Sequence, residues 1–104
     1  MVAHFLFVSL FACSGAAPAG PPLSPEAAKG KAVYAANCTA CHNANPAKAG
    51  SLGPDVMGSS RDLLEARVVR GTYPTGYAPK RSSTLMQPMP NLAADIDALA
   101  AYLQ

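Results

Sequence analysis

The stretch that most constrains this chain is Cys38-Thr39-Ala40-Cys41-His42. Cysteines three positions apart lie on one face of a helical turn, so both thiols can reach the two vinyl groups of one porphyrin. The adjacent imidazole then lies beneath the porphyrin plane, where a ring nitrogen can bind iron. Three residue types in this order and spacing indicate the covalent attachment of one c-type haem.

Two other kinds of site share part of this pattern. A redox dithiol uses two cysteines at the same spacing but does not need the histidine. A structural zinc site needs a second pair of ligands, and the only other cysteine and histidine are Cys13 and His4, near the N-terminus. Each alternative leaves part of the pattern unexplained, so haem attachment is the favoured interpretation.

Size and composition agree with a cofactor inside the fold. The chain has 104 residues, and half of them are hydrophobic although only 7% are aromatic. A domain this small often needs a covalent or metal staple, which an enclosed haem would supply. The net charge of +2 and the lack of any run of like charge predict no nucleic acid partner. Lys80-Arg81 is the densest basic pair, and we expect it in a solvated loop.

The N-terminal quarter resembles export and anchoring segments. Residues 1–12 are apolar, too short to span a bilayer, and predict an export signal. The sequence Leu10-Phe11-Ala12-Cys13 resembles a lipobox, which predicts lipidation of Cys13; the alternative is ordinary cleavage near Ser14-Gly15-Ala16. Residues 13–23 then form the anchor cysteine and a linker rich in Pro, Gly and Ala. Residues 24–104 are the predicted folded domain.

Three helices are predicted in that domain, and no strand-like alternation is present. The first runs from Pro25 to Asn37 behind the N-cap Ser24. The second covers residues 61–70, with Ser59 or Ser60 as its cap and Gly71 as its end. The third covers residues 92–103, with Asn91 as its cap, and its apolar positions form one stripe: Leu92, Ile96, Leu99 and Leu103. The fold class is all-α.

Residues 24–104 resemble a small bacterial class I cytochrome c. Besides the haem motif, the matching positions are a glycine and an aromatic in the first helix, an aliphatic and an aromatic in the last, and a Gly-Pro pair between them: Gly30, Tyr34, Leu99, Tyr102 and Gly53-Pro54. The resemblance implies three main helices wrapped around one covalent haem, with the N- and C-terminal helices crossing.

The resemblance also implies the surroundings of the iron. The carbonyl of Pro54 would accept a hydrogen bond from His42 and orient its ring. A methionine before the last helix would be the sixth ligand. Met86 fits a Met-Pro-Pro-like segment ten residues before Ile96, whereas Met89, seven residues before it, fits a simpler Met-Pro pattern. Met57 would lie on the His42 side. Met86 is the predicted ligand, and Met89 remains the alternative.

The implied function is one-electron transfer, with no enzymatic role outside a larger oxidoreductase. Cys38, Cys41, His42, Pro54 and Met86 would hold the haem, and redox proteins would dock transiently at its edge. The protein would lie on the periplasmic side of a bacterial membrane, either lipid-anchored or soluble. One alternative is a haem protein whose open or labile sixth site binds a small gas or peroxide. Another, a lipoprotein scaffold without haem, leaves the motif unexplained.

Overall fold

The computed structural model describes residues 22–104, and its first helix, α1, spans Pro25–Asn37. The Ser24 hydroxyl accepts a hydrogen bond of 3.1 Å from the Ala27 N–H, and Pro25 occupies the first turn, where its missing N–H costs nothing. The prediction for this helix is confirmed. The predicted export signal, the Cys13 anchor and the linker up to residue 21 lie outside the described residues.

The second helical arm changes from α-helical to π-helical hydrogen bonding partway along its length. Helix α2 spans Arg61–Leu64, and a π-helical turn continues it over Glu65–Val69. Ser60 is the cap, because its hydroxyl accepts a hydrogen bond of 3.1 Å from the Leu63 N–H. Gly71 follows the arm with a φ of 68°, a left-handed conformation that suits glycine. The extent of the predicted helix is confirmed, but the π turn was not predicted.

The C-terminal arm is also composite. A 3-10 segment spans Pro90–Asp95, and helix α3 spans Ile96–Tyr102. The predicted cap at Asn91 is wrong, because Pro90 already begins the 3-10 turn and Asn91 lies inside it. The predicted apolar stripe is confirmed, since its four members are each at most 5% exposed: Leu92, Ile96, Leu99 and Leu103.

The two terminal arms pack against each other, as predicted. A Cβ atom on Gly30 would overlap the carbonyl group of Ala98, so only glycine permits this approach of α1 to α3. Beside the contact, the rings of Tyr34 and Tyr102 lie 5.8 Å apart at 54°. Within residues 22–104, no helix has the length and apolar character needed to cross a membrane.

Candidate haem site

The cysteine motif forms a single turn directly after α1. The Cys38 N–H donates to the carbonyl of Tyr34 at 2.9 Å, which closes the helix. The Cys38 carbonyl then accepts from the N–H groups of Cys41 and His42, at 3.2 and 2.9 Å. This turn holds both thiols and the imidazole in one short segment, with Cys38 half-buried and Cys41 exposed.

The environment of Cys38 does not suit a redox dithiol. Burial raises the pKa of its thiol to about 11, so the thiol stays protonated at neutral pH. A reactive dithiol needs the opposite shift, because the thiolate is the nucleophile. In the described part of the chain, no three His, Cys, Asp or Glu side chains are grouped so as to ligate a metal ion, which leaves the zinc alternative without a ligand set.

His42 is held by the loop that follows it. The N–H groups of Leu52 and Gly53 donate to the Cys41 carbonyl at 3.2 and 3.0 Å, which brings Pro54 back to the imidazole. The Nδ1–H of His42 donates to the Pro54 carbonyl at 2.8 Å. A carbonyl only accepts, so Nδ1 carries a proton, and in the neutral ring Nε2 is the nitrogen that can bind a metal.

Gly53 is required where the loop passes the histidine. A Cβ atom at this position would overlap the imidazole ring itself. The predicted Gly-Pro pair therefore has two separate tasks in this structure. Gly53 lets the backbone pass the ring, and Pro54 supplies the acceptor that orients it.

All five residues proposed from the sequence line one cavity of about 610 Å³: Cys38, Cys41, His42, Pro54 and Met86. Its inner wall is apolar, with Leu64, Val68 and Leu99 from the second and third helical arms. The volume lies within the range of roughly 300–1,000 Å³ that is typical of small-molecule and cofactor sites.

Three methionines line this cavity. Met86 and Met89 are half-buried and pack against the core, whereas Met57 is 38% exposed. Both backbone polar groups of Met89 are hydrogen-bonded. Its N–H donates to the Val68 carbonyl at 2.6 Å, and its carbonyl accepts from the Leu92 N–H at 3.0 Å. Met86 lies three residues earlier, in an irregular segment. Both candidate ligands are thus brought to the cavity.

Four further cavity residues were not expected from the sequence: Arg67, Tyr73, Tyr77 and Arg81. The expectation of a solvated Lys80-Arg81 pair is wrong for Arg81, which is half-buried and donates to the Gly50 carbonyl at 3.5 Å. The loop between residues 72 and 89 folds back over the cavity, and this brings Arg81 to the cavity wall. No local motif marked this arginine, because its burial depends on contacts 31 positions away.

The lining of the cavity suits a large apolar ligand. Five large hydrophobic side chains stay exposed in the described chain, and all but Leu23 line this cavity: Leu52, Met57, Tyr73 and Leu85. Exposed apolar groups gathered around one concave site indicate that a ligand covers them. Paired thiols at its edge and a nitrogen lone pair inside it are the groups that a covalently attached haem requires.

The comparison with protein families agrees with this site. The family model described as Cytochrome c matches residues 27–104, three quarters of the chain. Searches of curated proteins and of solved structures find no significant match.

Proposed function

Because the chain belongs to the cytochrome c family, we propose that it is a one-electron carrier whose haem iron is ligated by His42 and Met86. Family membership implies a covalent haem c, an electron-transfer role and redox protein partners. The individual ligands are our proposal. The observation that carries it is the Nδ1 hydrogen bond of His42 to Pro54, in a cavity that Met86 and Met89 also line.

When bound, the haem would supply reversible one-electron chemistry, and His42 and Met86 are the residues that would hold its iron. The chain contributes attachment, orientation and exclusion of water. Cys38 and Cys41 would form the thioethers, and the Pro54 carbonyl would fix the ring of His42 and increase the basicity of its other nitrogen. The apolar inner wall would lower the local dielectric constant and keep water from the iron.

Met86 is the proposed sixth ligand because of its position in the chain. It lies ten residues before Ile96, in the irregular segment that precedes the last helical arm. The two backbone hydrogen bonds of Met89 anchor the start of that arm and suit a residue that packs against the porphyrin edge. A flexible thioether on a less constrained segment can adjust its sulfur to a metal more readily.

The optical spectrum of the matured protein tests the proposed function. A methionine–iron bond gives the oxidised protein a weak long-wavelength charge-transfer band, and carbon monoxide should leave the reduced spectrum unchanged. A missing band together with rapid carbon monoxide binding would show the alternative, a haem protein with an open sixth site.

We also propose that residues 1–12 direct export, that Cys13 is lipidated, and that residues 13–23 tether the domain of residues 24–104 to the periplasmic face of a membrane. Cytochrome c domains in bacteria are typically extracytoplasmic. Two or more acyl chains give stable membrane residence. The wild-type protein should therefore fractionate with membranes, and Cys13→Ser should remain unprocessed or become soluble. A wholly soluble wild type whose N-terminus lies beyond Ala16 would contradict the anchor and favour a soluble periplasmic carrier.

A further inference from the structure

Tyr34 carries a hydroxyl group that the packing of its helix does not need. The residue is 3% exposed, and its ring packs against Tyr102 at the contact between the terminal arms. A phenylalanine would fill the same space, because a contact between two rings does not depend on the hydroxyl. A buried hydroxyl costs free energy unless it has a hydrogen-bond partner, so the choice of that partner is informative.

The partner of this hydroxyl is the first backbone carbonyl after the haem motif. The hydroxyl of Tyr34 donates to the Asn43 carbonyl at 2.5 Å, across nine positions of the chain. Burial raises the pKa of Tyr34 to about 12, so the hydroxyl keeps its proton and remains a donor at neutral pH. Because Asn43 directly follows His42, the bond is made to the backbone that leaves the proposed iron ligand.

Tyr34 also holds the other end of the motif. Its backbone carbonyl accepts from the Cys38 N–H at 2.9 Å. Between these two bonds lies the turn in which the Cys38 carbonyl accepts from the N–H groups of Cys41 and His42. A single residue of α1 is therefore bonded to both the entry and the exit of the segment that carries the two thiols and the imidazole.

A second contact confines the exit of the motif. A Cβ atom on Gly50 would overlap the Cys41 carbonyl and the His42 backbone, so the following loop packs directly on this peptide. The imidazole is thus held at two levels. Pro54 orients its ring, whereas the Tyr34 hydroxyl and the Gly50 backbone restrict the main chain from which that ring projects.

We propose that Tyr34 is a positioning residue for the haem ligand His42, and that it acts through the hydrogen bond from its hydroxyl to the Asn43 carbonyl. A ligand whose backbone is already held loses less conformational entropy when it binds iron, so this bond strengthens ligation without touching the metal. The proposal rests on the proposed ligand role of His42 and is independent of the choice between Met86 and Met89.

Tyr34→Phe in the haem-loaded protein is the test, because it removes one hydroxyl and keeps the ring. Without the bond the motif turn should open more often, so the N–H groups of Cys41 and His42 should exchange with solvent about fivefold faster. Hydrogen-exchange NMR of the reduced protein measures these rates. The increase at the motif should exceed any change within the first turns of α1, which reports the stability of the helix packing.

Tyr102→Phe is the matched control for this experiment. It removes a hydroxyl from the other ring of the pair and leaves the bond from Tyr34 to Asn43 in place, so exchange at Cys41 and His42 should match the wild type. The ring protons of His42 supply a second readout, because the porphyrin ring current shifts them according to their position over the iron. These shifts should change in Tyr34→Phe and stay constant in Tyr102→Phe.

Three outcomes would overturn the proposal. One is equal exchange at the motif in the two Phe variants, with unchanged shifts of the His42 ring. Another needs no variant: a Tyr34 hydroxyl proton that exchanges freely in the wild-type protein would show that the bond to Asn43 is not maintained. The third, a wild type without ring-current-shifted histidine protons, would defeat the ligand role of His42 and with it the proposed function, which the first two outcomes leave intact.

Discussion

The two sides of the cavity are built in different ways. The histidine wall, residues 38–56, is dense in short-range backbone hydrogen bonds, including those that the Cys38 and Cys41 carbonyls accept. The methionine wall, residues 72–89, has few. Among the described residues, its backbone is hydrogen-bonded to other backbone groups only at Thr72, Pro74, Tyr77 and Met89, and no such bond involves residues 78–88.

Side chains connect the two walls. Lys80 donates to the Asp55 carboxylate and backbone carbonyl at 2.9 and 3.1 Å, and Arg81 donates to Gly50. The histidine wall is thus held by hydrogen bonds within its own segment, whereas the methionine wall is held mainly by side-chain contacts to other segments. Segments with few backbone hydrogen bonds open most easily. We infer that the attachment side is set locally and that the proposed sixth ligand would be positioned by the contacts that hold the loop of residues 72–89.

The largest expected effect is that of losing the haem, which would lie between the two walls. Cys38→Ala with Cys41→Ala should abolish covalent attachment and leave little folded protein, because a domain of roughly 80 residues is marginal without a staple. Mass spectrometry and circular dichroism measure the two effects. Thr39→Ala, which keeps both thiols, is the control. Porphyrin that stays on the double variant after acid–acetone extraction would contradict the attachment sites.

A side chain at Gly53 should disturb the histidine wall alone. Its Cβ would overlap the imidazole, so Gly53→Ala should cost about 1–3 kcal/mol, typical of overpacking, and expose the Nδ1 proton of His42 to exchange. Thermal unfolding and proton NMR of the reduced protein measure both.

Gly76→Ala provides the matched control on the methionine wall. Gly76 has a φ of 82° and nothing within 4 Å of an added Cβ. This variant should cost about 1–2 kcal/mol through the backbone alone and leave the His42 proton protected. Equal exchange of that proton in both variants would show that the walls are not independent.

The smallest expected effect concerns the ion pair between the walls. The hydrogen bond from Lys80 lowers the pKa of Asp55, so the pair stabilises the fold above the ordinary pKa of an aspartate. This contribution is lost as the pH falls through the lowered pKa. In Lys80→Ala the pKa of Asp55 should return toward its ordinary value, as NMR titration can measure.

Lys48→Ala serves as the control for this ion pair. Lys48 is an exposed lysine of the histidine wall and forms no salt bridge among residues 22–104. Its replacement should leave Asp55 unchanged. An unchanged Asp55 pKa in Lys80→Ala would contradict the bridge between the walls.

Local chemistry made part of the fold predictable. Ser24, Ser60 and Gly71 act through bonds or backbone angles within a few residues, so the sequence marks the helix ends directly. The stripe from Leu92 to Leu103 needs only helical periodicity. Asn91 failed as a cap because Pro90, its neighbour, had already begun a tighter turn.

The residues of the candidate site also divide into those set by nearby residues and those that depend on long-range packing. Cys38, Cys41 and His42 lie within five consecutive positions, so a spacing pattern was enough to propose them, whereas Pro54 was proposed from the family resemblance. Arg67 and Arg81 come together only when the second helical arm and the loop pack around one cavity. The π turn of Glu65–Val69 was also missed, because no pattern of residue types predicted it.

The most direct test is the long-wavelength methionine–iron band of the oxidised protein in Met86→Ala and Met89→Ala. We expect Met86→Ala to lose the band and to have a lower midpoint potential, while Met89→Ala keeps the band and nearly the wild-type potential. The reverse pattern would transfer the ligand role to Met89. A band that persists in both single variants would contradict a sixth ligand on the methionine wall.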